Sequence, residues 1–175
     1  CNLYYGNRWS FRYKEVIKYI SENESVLELC AGYGEFKNYL KSNDYAGIEL
    51  NKNFVDYGKK KGYKLIQGNI LDIEFPKSDV IVMFSSFYHF IDCSDSLIKK
   101  MKESSKKIII CEGYKCLTSS KSNILSKIGI LLTKSTADTA NKRWSEEELK
   151  NFFHKFDFKN IYSENNFVFG ISTDN

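Results

Sequence analysis

Glu28, Gly32 and Gly34 are the residues whose types and spacing bear most directly on chemistry. The short, mainly apolar run Ser25–Cys30 reads as a buried strand. Two glycines one residue apart follow it, and Phe36, Tyr39 and Leu40 then recur at helical spacing. A strand, a glycine turn and a helix start let a backbone approach a ligand closely. Glu28 narrows the ligand's charge: a carboxylate beside the turn repels a pyrophosphate and attracts a molecule carrying an ammonium and a sulfonium. Lys37 stands where a dinucleotide fingerprint would place its third glycine, which argues against NAD.

Further along, Tyr45–Leu50 is a second apolar run, ending in Glu49-Leu50. An acid at the end of the second strand of a doubly wound sheet is placed to accept hydrogen bonds from both hydroxyls of a ribose. Tyr63–Gln67 reads as a third strand running into a turn at Gly68-Asn69, with Ile70 next. There a side-chain amide can meet an adenine amino group while a backbone N–H meets a ring nitrogen. A fourth run, Asp79–Phe84, continues into Ser85-Ser86-Phe87-Tyr88-His89-Phe90. Together these residues favour S-adenosyl-L-methionine as ligand.

On these motifs the chain resembles the class I S-adenosylmethionine-dependent methyltransferases, in particular their small-molecule branch, over roughly residues 10–175. Glu28-Leu29-Cys30-Ala31-Gly32-Tyr33-Gly34 resembles the family's acidic-x-x-x-Gly-x-Gly motif, with Cys30 and Ala31 replacing a more usual Gly-Cys or Gly-Ser pair. The resemblance makes Glu49, with Leu50, the ribose site and Asn69-Ile70 the adenine site. It makes Phe84-Ser85 the end of the strand that lines the transfer site. Arg143–Leu149 resembles the segment opening the last helix. Tyr4, Tyr5, Trp9, Phe11 and Tyr13 crowd the N-terminus with aromatics. In related enzymes such a segment folds over the cofactor, which implies that Tyr5 lies near its methionyl end.

The elements needed to position these residues follow from patterning. A helix is predicted over 10–21, with Ser10 as N-cap and a stripe at Tyr13, Val16, Ile17 and Ile20. Strand–helix units then alternate: 25–30 with 35–42, 44–50 with 52–61, 63–67 with a loop, and 79–84 with 94–103. Lys107–Glu112 is a fifth strand, followed by a helix near 145–155 and strands near 157–163 and 166–172. The last two strands are joined by a hairpin at Glu164-Asn165-Asn166. The predicted class is α/β: a Rossmann-like, doubly wound, mostly parallel seven-stranded sheet with its last strand antiparallel and helices on both faces. Ligands bind beyond the C-terminal ends of such strands. That rule gathers Glu28, Glu49, Asn69, Ser85 and Glu112 at one edge.

Composition is consistent with one methyltransferase domain spanning 1–175. The 175 residues are 42% hydrophobic, and 13 Phe and 12 Tyr can fill one core. Pro76 is the single proline, so no Pro-rich linker is present. No apolar run approaches the ~20 residues of a membrane span. Five cysteines without paired metal spacing suggest free thiols in a reducing cytoplasm and no metal site. The net charge of +4 is scattered over short lysine groups, which makes nucleic acid an unlikely partner and a small molecule the expected acceptor. Nothing in the sequence indicates an oligomeric state.

Methyl transfer requires alignment of a nucleophile with the sulfonium, and a base only where the acceptor still holds its proton. His89, five residues beyond the fourth strand, is the first candidate for that base; packing at a helix start is the competing role. Glu112, at the end of the fifth strand, and Tyr114 are the next candidates. The segment 113–142 contains an apolar stretch, Asn123–Leu132, and is expected to cover the acceptor as a lid, to pack on the sheet, or to form a surface. The leading expectation is transfer to an oxygen or nitrogen of a small, partly apolar molecule. An RNA or protein methyltransferase and a non-catalytic S-adenosylmethionine-binding protein are the alternatives. The Asn/Asp-Pro-Pro-aromatic motif of amino-directed base methylases is absent after the fourth strand, and so is a Pro-Cys nucleophile.

Overall fold

A computed structural model describes residues 7–41, 44–114 and 143–173. Tyr5 and residues 115–142, which carry most of the expected lid, lie outside the described residues. The chain runs α1 (Asn7–Val16), β1 (Val26–Leu29), β2 (Tyr45–Glu49), α2 (Lys52–Lys60), β3 (Leu65–Gln67), β4 (Ser78–Phe84), α3 (Ser94–Ser104), β5 (Ser105–Gly113), α4 (Glu146–Lys155), β6 (Asn160–Glu164) and β7 (Phe167–Thr173). One seven-stranded sheet has the order β3-β2-β1-β4-β5-β7-β6. β1 pairs in parallel with β2 and β4, β2 with β3, and β4 with β5, while β7 is antiparallel to β5 and β6. This is the predicted mixed sheet.

The central strands are apolar on both faces because helices cover both, as parallel sheets require. Leu27, Leu29, Ile81, Met83, Ile108 and Ile110 pack with Leu97, Ile98, Met101 and Phe153 on one face. Val26, Val80, Val82, Ile109 and Cys111 pack with Tyr13, Val16 and Phe36 on the other. The hairpin between β6 and β7 closes through two residues, Asn165 (φ 50) and Asn166 (φ 67), the left-handed pair that suits the twist of the flanking strands. α4 opens on a capping box in which Ser145 Oγ accepts from the Glu148 N–H and Glu148 Oε2 accepts from the Ser145 N–H. Among the described residues, no helix is long and apolar enough to cross a membrane.

Two local expectations are corrected. Ser10 does not cap the first helix, because the helix already begins at Asn7. The predicted 35–42 helix is a five-residue 3-10 turn, Glu35–Tyr39. Phe36 and Leu40 are both buried, and the chain must reach β2 at Tyr45, which leaves no length for further turns. The glycine turn therefore presents backbone to its surroundings without a long helix behind it.

Candidate active site

The chain leaves β1 towards β2 and β3 on one side and returns through β4 on the other. This topological switch is where ligands bind in open α/β sheets. A cleft of about 760 Å³ lies there, bounded by the turns after β1, β2, β3 and β4 and by α1. Glu28, Cys30, Ala31, Gly32, Tyr33, Glu49, Leu50, Asn69, Ile70, Phe84, Ser85 and His89 all line it.

The two glycines of the turn have separate roles. Gly32 (φ +56) has nothing within 4 Å of an added Cβ, so its backbone faces open space in the cleft. Gly34 (φ +76) does not line the cleft; an added Cβ would stand 3.1 Å from the Tyr63 ring and 3.2 Å from Leu65. It lets the turn pack against the neighbouring strand. Cys30 (φ 55) and Ser85 (φ 47) are non-glycine residues in left-handed conformation, each just past the end of a central strand. Such conformations persist where surrounding structure holds them, and they concentrate at ligand sites.

The electrostatics of the floor are set by burial. Glu28 is 2% exposed, and Tyr45 Oη donates to its Oε2. Desolvation pushes its carboxyl up to about 8, against the Tyr45 hydrogen bond and the Arg12 charge, which pull it down. Burial likewise pushes the Cys30 thiol up to about 12, with Glu49 and Glu28 adding to the effect, so it stays protonated. Glu49 is held at the rim: Oε2 accepts from the Gly32 N–H at 2.8 Å and Oε1 from the Asn51 N–H at 2.8 Å. Each oxygen retains acceptor capacity. Asn69 stabilises its own turn, with Oδ1 accepting from the Leu71 N–H at 3.1 Å and Nδ2 donating to Asp72 at 2.9 Å. Beyond Glu49, the rings of Tyr33 and Phe54 meet at 4.4 Å and those of Tyr33 and Tyr57 at 5.0 Å.

His89 sits on a 3-10 segment, Phe87–Cys93, beyond β4. Its N–H donates to Ser86 O at 3.1 Å, and its ring lies 3.8 Å from that of Tyr88. Its side chain is exposed on the cleft wall, yet partial desolvation and then the Arg143 charge lower its pKa below the usual 6.5. The guanidinium of Arg143 stacks on Tyr88, 3.3 Å from the ring centre.

Glu112 and Tyr114 do not line the cleft. Glu112 is buried, and its carboxylate accepts from the N–H groups of Phe87 (2.7 Å), Tyr88 (3.4 Å) and Gly113 (3.1 Å). Burial pushes it up to about 7, opposed by Arg143 and these N–H groups. Its place is under the turn that carries His89. Tyr114 is partly buried beside the hairpin; its N–H donates to Asn166 O at 3.2 Å, and burial and then the Glu146 charge raise its phenol.

Arg12 was not anticipated from the sequence. It is 2% exposed and reaches the cleft from α1; Nη1 donates to Ser85 Oγ at 3.0 Å and Nη2 to Tyr13 Oη at 2.9 Å. Its guanidinium lies 4.7 Å from the Tyr13 ring centre and 5.3 Å from that of Phe84. One sequence signal was available. The chain has only three arginines among 26 basic residues, so an arginine between two aromatics marks a position where a lysine would not serve.

The fold is one shared with solved structures of S-adenosylmethionine-dependent methyltransferases. A SAM-dependent methyltransferase from Aquifex aeolicus superposes with TM-score 0.63 at 16% identity, over 91% of this chain and 87% of that one. Magnesium protoporphyrin IX methyltransferase from Synechocystis, solved with bound SAH, gives 0.65 at 13% identity, over 93% and 81%. A SAM-dependent methyltransferase from Thermotoga maritima gives 0.64 at 17% identity, over 97% and 94%. No protein-family model and no curated protein matches the chain by sequence.

Proposed function

We propose that the chain is an S-adenosylmethionine-dependent methyltransferase that moves a methyl group to an oxygen or nitrogen of a small, partly apolar molecule. One observation carries this reading: the cleft at the switch point is open at Gly32 and is lined by three acids, of which Glu28 and Glu49 stand near the ends of separate strands along it. The residues present fit the donor in kind. Glu28 would hold its ammonium, and the free lone pairs of Glu49 would accept from its ribose hydroxyls. Asn69 and the backbone of Ile70 would meet its adenine. Ala31, Ile48, Phe84 and Phe90 supply apolar wall.

Bound there, S-adenosylmethionine supplies an electrophilic methyl carbon on sulfur. The remaining work belongs to the chain. Walls fixed by the sheet hold two reactants in line and exclude water, an effect that reaches ~7–11 kcal/mol in well-oriented systems. His89, with its lowered pKa, is neutral at pH 7 and able to take a proton from an acceptor hydroxyl or amine. Glu112 positions the His89 segment through backbone N–H groups. Aromatic and aliphatic lining and a scattered charge of +4 support a small acceptor over a polyanion. The free thiols Cys30, Cys93 and Cys111 support a cytoplasmic setting.

Calorimetric titration with S-adenosylmethionine, S-adenosylhomocysteine and NAD, then a methyl-transfer screen over small acceptors and bulk RNA, tests this reading. The donor and its demethylated product are expected to bind and NAD not to. Tighter binding of NAD would overturn the donor assignment, and transfer to RNA alone would overturn the acceptor class.

A further inference from the structure

Among the described residues lining the cleft, Arg12 is the permanently charged cation, and it enters from α1, not from a strand end. Its fork is fixed in several ways. The Ser85 and Tyr13 hydroxyls each take one N–H, and the rings of Tyr13 and Phe84 lie close to its Cζ. Both anchors are themselves rigid. Ser85 is locked in left-handed conformation with its N–H on Cys111 O at 2.8 Å. The Tyr13 ring is wedged among Phe36, Tyr39 and Phe84, at 5.3, 5.0 and 4.8 Å. A planar guanidinium held this way is preorganised for a carboxylate, which it binds through two parallel N–H···O bonds. Glu28, of opposite charge, is buried in the same cleft and feels the Arg12 field. A buried cation and a buried anion lining the same cleft match the two charges of an α-amino acid.

We infer that Arg12 reads the carboxylate of the donor's amino-acid end while Glu28 faces its ammonium, so that the cleft selects a zwitterionic donor over its decarboxylated form. The inference rests on the functional reading above and deepens it: among the charged groups on the cleft, three acids and Arg12, the basic one sets which end of the donor lies under α1. Because Arg12 belongs to α1, the same contact ties that helix to the ligand.

The test compares S-adenosylmethionine with decarboxylated S-adenosylmethionine by calorimetry on the wild-type protein and on Arg12→Met and Arg12→Lys. 5′-Methylthioadenosine, which lacks the whole amino-acid end, serves as control for an intact nucleoside site. The wild type is expected to prefer the carboxylated donor by roughly 10- to 100-fold. Arg12→Met loses that preference while binding methylthioadenosine as the wild type does, and Arg12→Lys retains part of it. Hydrogen exchange over residues 7–16 slows with S-adenosylmethionine and not with methylthioadenosine. Near-equal wild-type affinity for both donors overturns the inference, and needs no variant to be seen. So does a retained preference in Arg12→Met, or an equal loss for all three ligands. If the wild type binds none of the three, the donor assignment itself has failed.

Discussion

On the proposed function, in which Glu28 faces the donor's ammonium, donor binding is a proton-linked event whose sign and size follow from the surroundings of Glu28. In the free protein its carboxyl is raised from the ordinary 4.5 to about 8. Burial is the largest cause, with Glu49 and Glu35 adding to it and Tyr45 and Arg12 opposing it. With a value of about 8, roughly nine molecules in ten carry the proton at pH 7. A ligand ammonium favours the carboxylate, so binding at pH 7 is expected to release close to one proton. Affinity then rises about tenfold per pH step below that value, roughly 30-fold between pH 5.5 and 7. Above pH 8 the dependence levels off. Measuring in this lower window keeps the ligand's own amino group protonated. Calorimetry at pH 6.5 in two buffers of different ionisation enthalpy counts the proton directly. Glu28→Gln removes the titration and flattens the profile, and His89→Ala, run in parallel, leaves it in place. An affinity flat from pH 5.5 to 7, or a Gln variant that keeps the slope, refutes the argument.

The same shifts govern stability. Glu28 and Glu112 both hold protons in the folded state at pH values where an unfolded carboxyl has lost them. Their contribution is therefore full below about pH 4.5 and declines as pH rises towards 7–8, by ~1.4 kcal/mol per group and pH unit at most; melting of the ligand-free protein from pH 5 to 8 checks it. Gly32→Val is expected to weaken S-adenosylmethionine strongly by filling open space, whereas Gly34→Ala lowers Tm and affects binding less, because its Cβ meets Tyr63 and Leu65; titration and melting curves on both separate the two roles. His89→Ala is expected to lower kcat by ~10²–10⁴ with donor affinity nearly intact, and the wild-type kcat to fall as pH drops through a value below 6.5. Glu112→Ala strands the Phe87 and Tyr88 N–H groups, destabilising by ~1–3 kcal/mol each in chemical denaturation.

Much of the sheet was legible because its physics is local. Val80–Phe84 and Ile108–Cys111 are continuous apolar runs since both their faces are covered, and Glu164-Asn165-Asn166 announces a hairpin, which closes through Asn165 and Asn166 alone. Helix starts were less legible. The predicted start at Ser10 leaves out Asn7 and Arg8, which the helix takes in, and the 35–42 pattern gave no sign that the connection to β2 is too short for an α-helix. At the site, the strand-end rule gathers Glu28, Glu49, Asn69, Ser85 and Glu112 at one edge, and the first four line the cleft while Glu112 turns away from it. It could not separate Gly32 from Gly34, which differ in what lies above the backbone. Arg12 went unread because a side chain delivered by a helix obeys no strand-end rule.

Strand parity explains why two buried acids at the same sheet edge differ in what they touch. Glu28 alternates with Val26 and so faces the layer that holds Tyr13, Tyr45 and Arg12. Glu112 alternates with Ile108 and Ile110 and so faces the opposite layer, where the chain returning from β4 passes over it with Phe87 and Tyr88. Three N–H groups fix the Glu112 carboxyl in place, while among the described residues Glu28 has a single neutral hydroxyl donor and an open cleft above it. A buried carboxyl so thinly satisfied is costly to ionise unless a cation arrives. On the proposed function, that asymmetry assigns the ligand's positive charge to the β1 side and not to the β5 side, so that Arg12, brought in by α1, would meet its negative one.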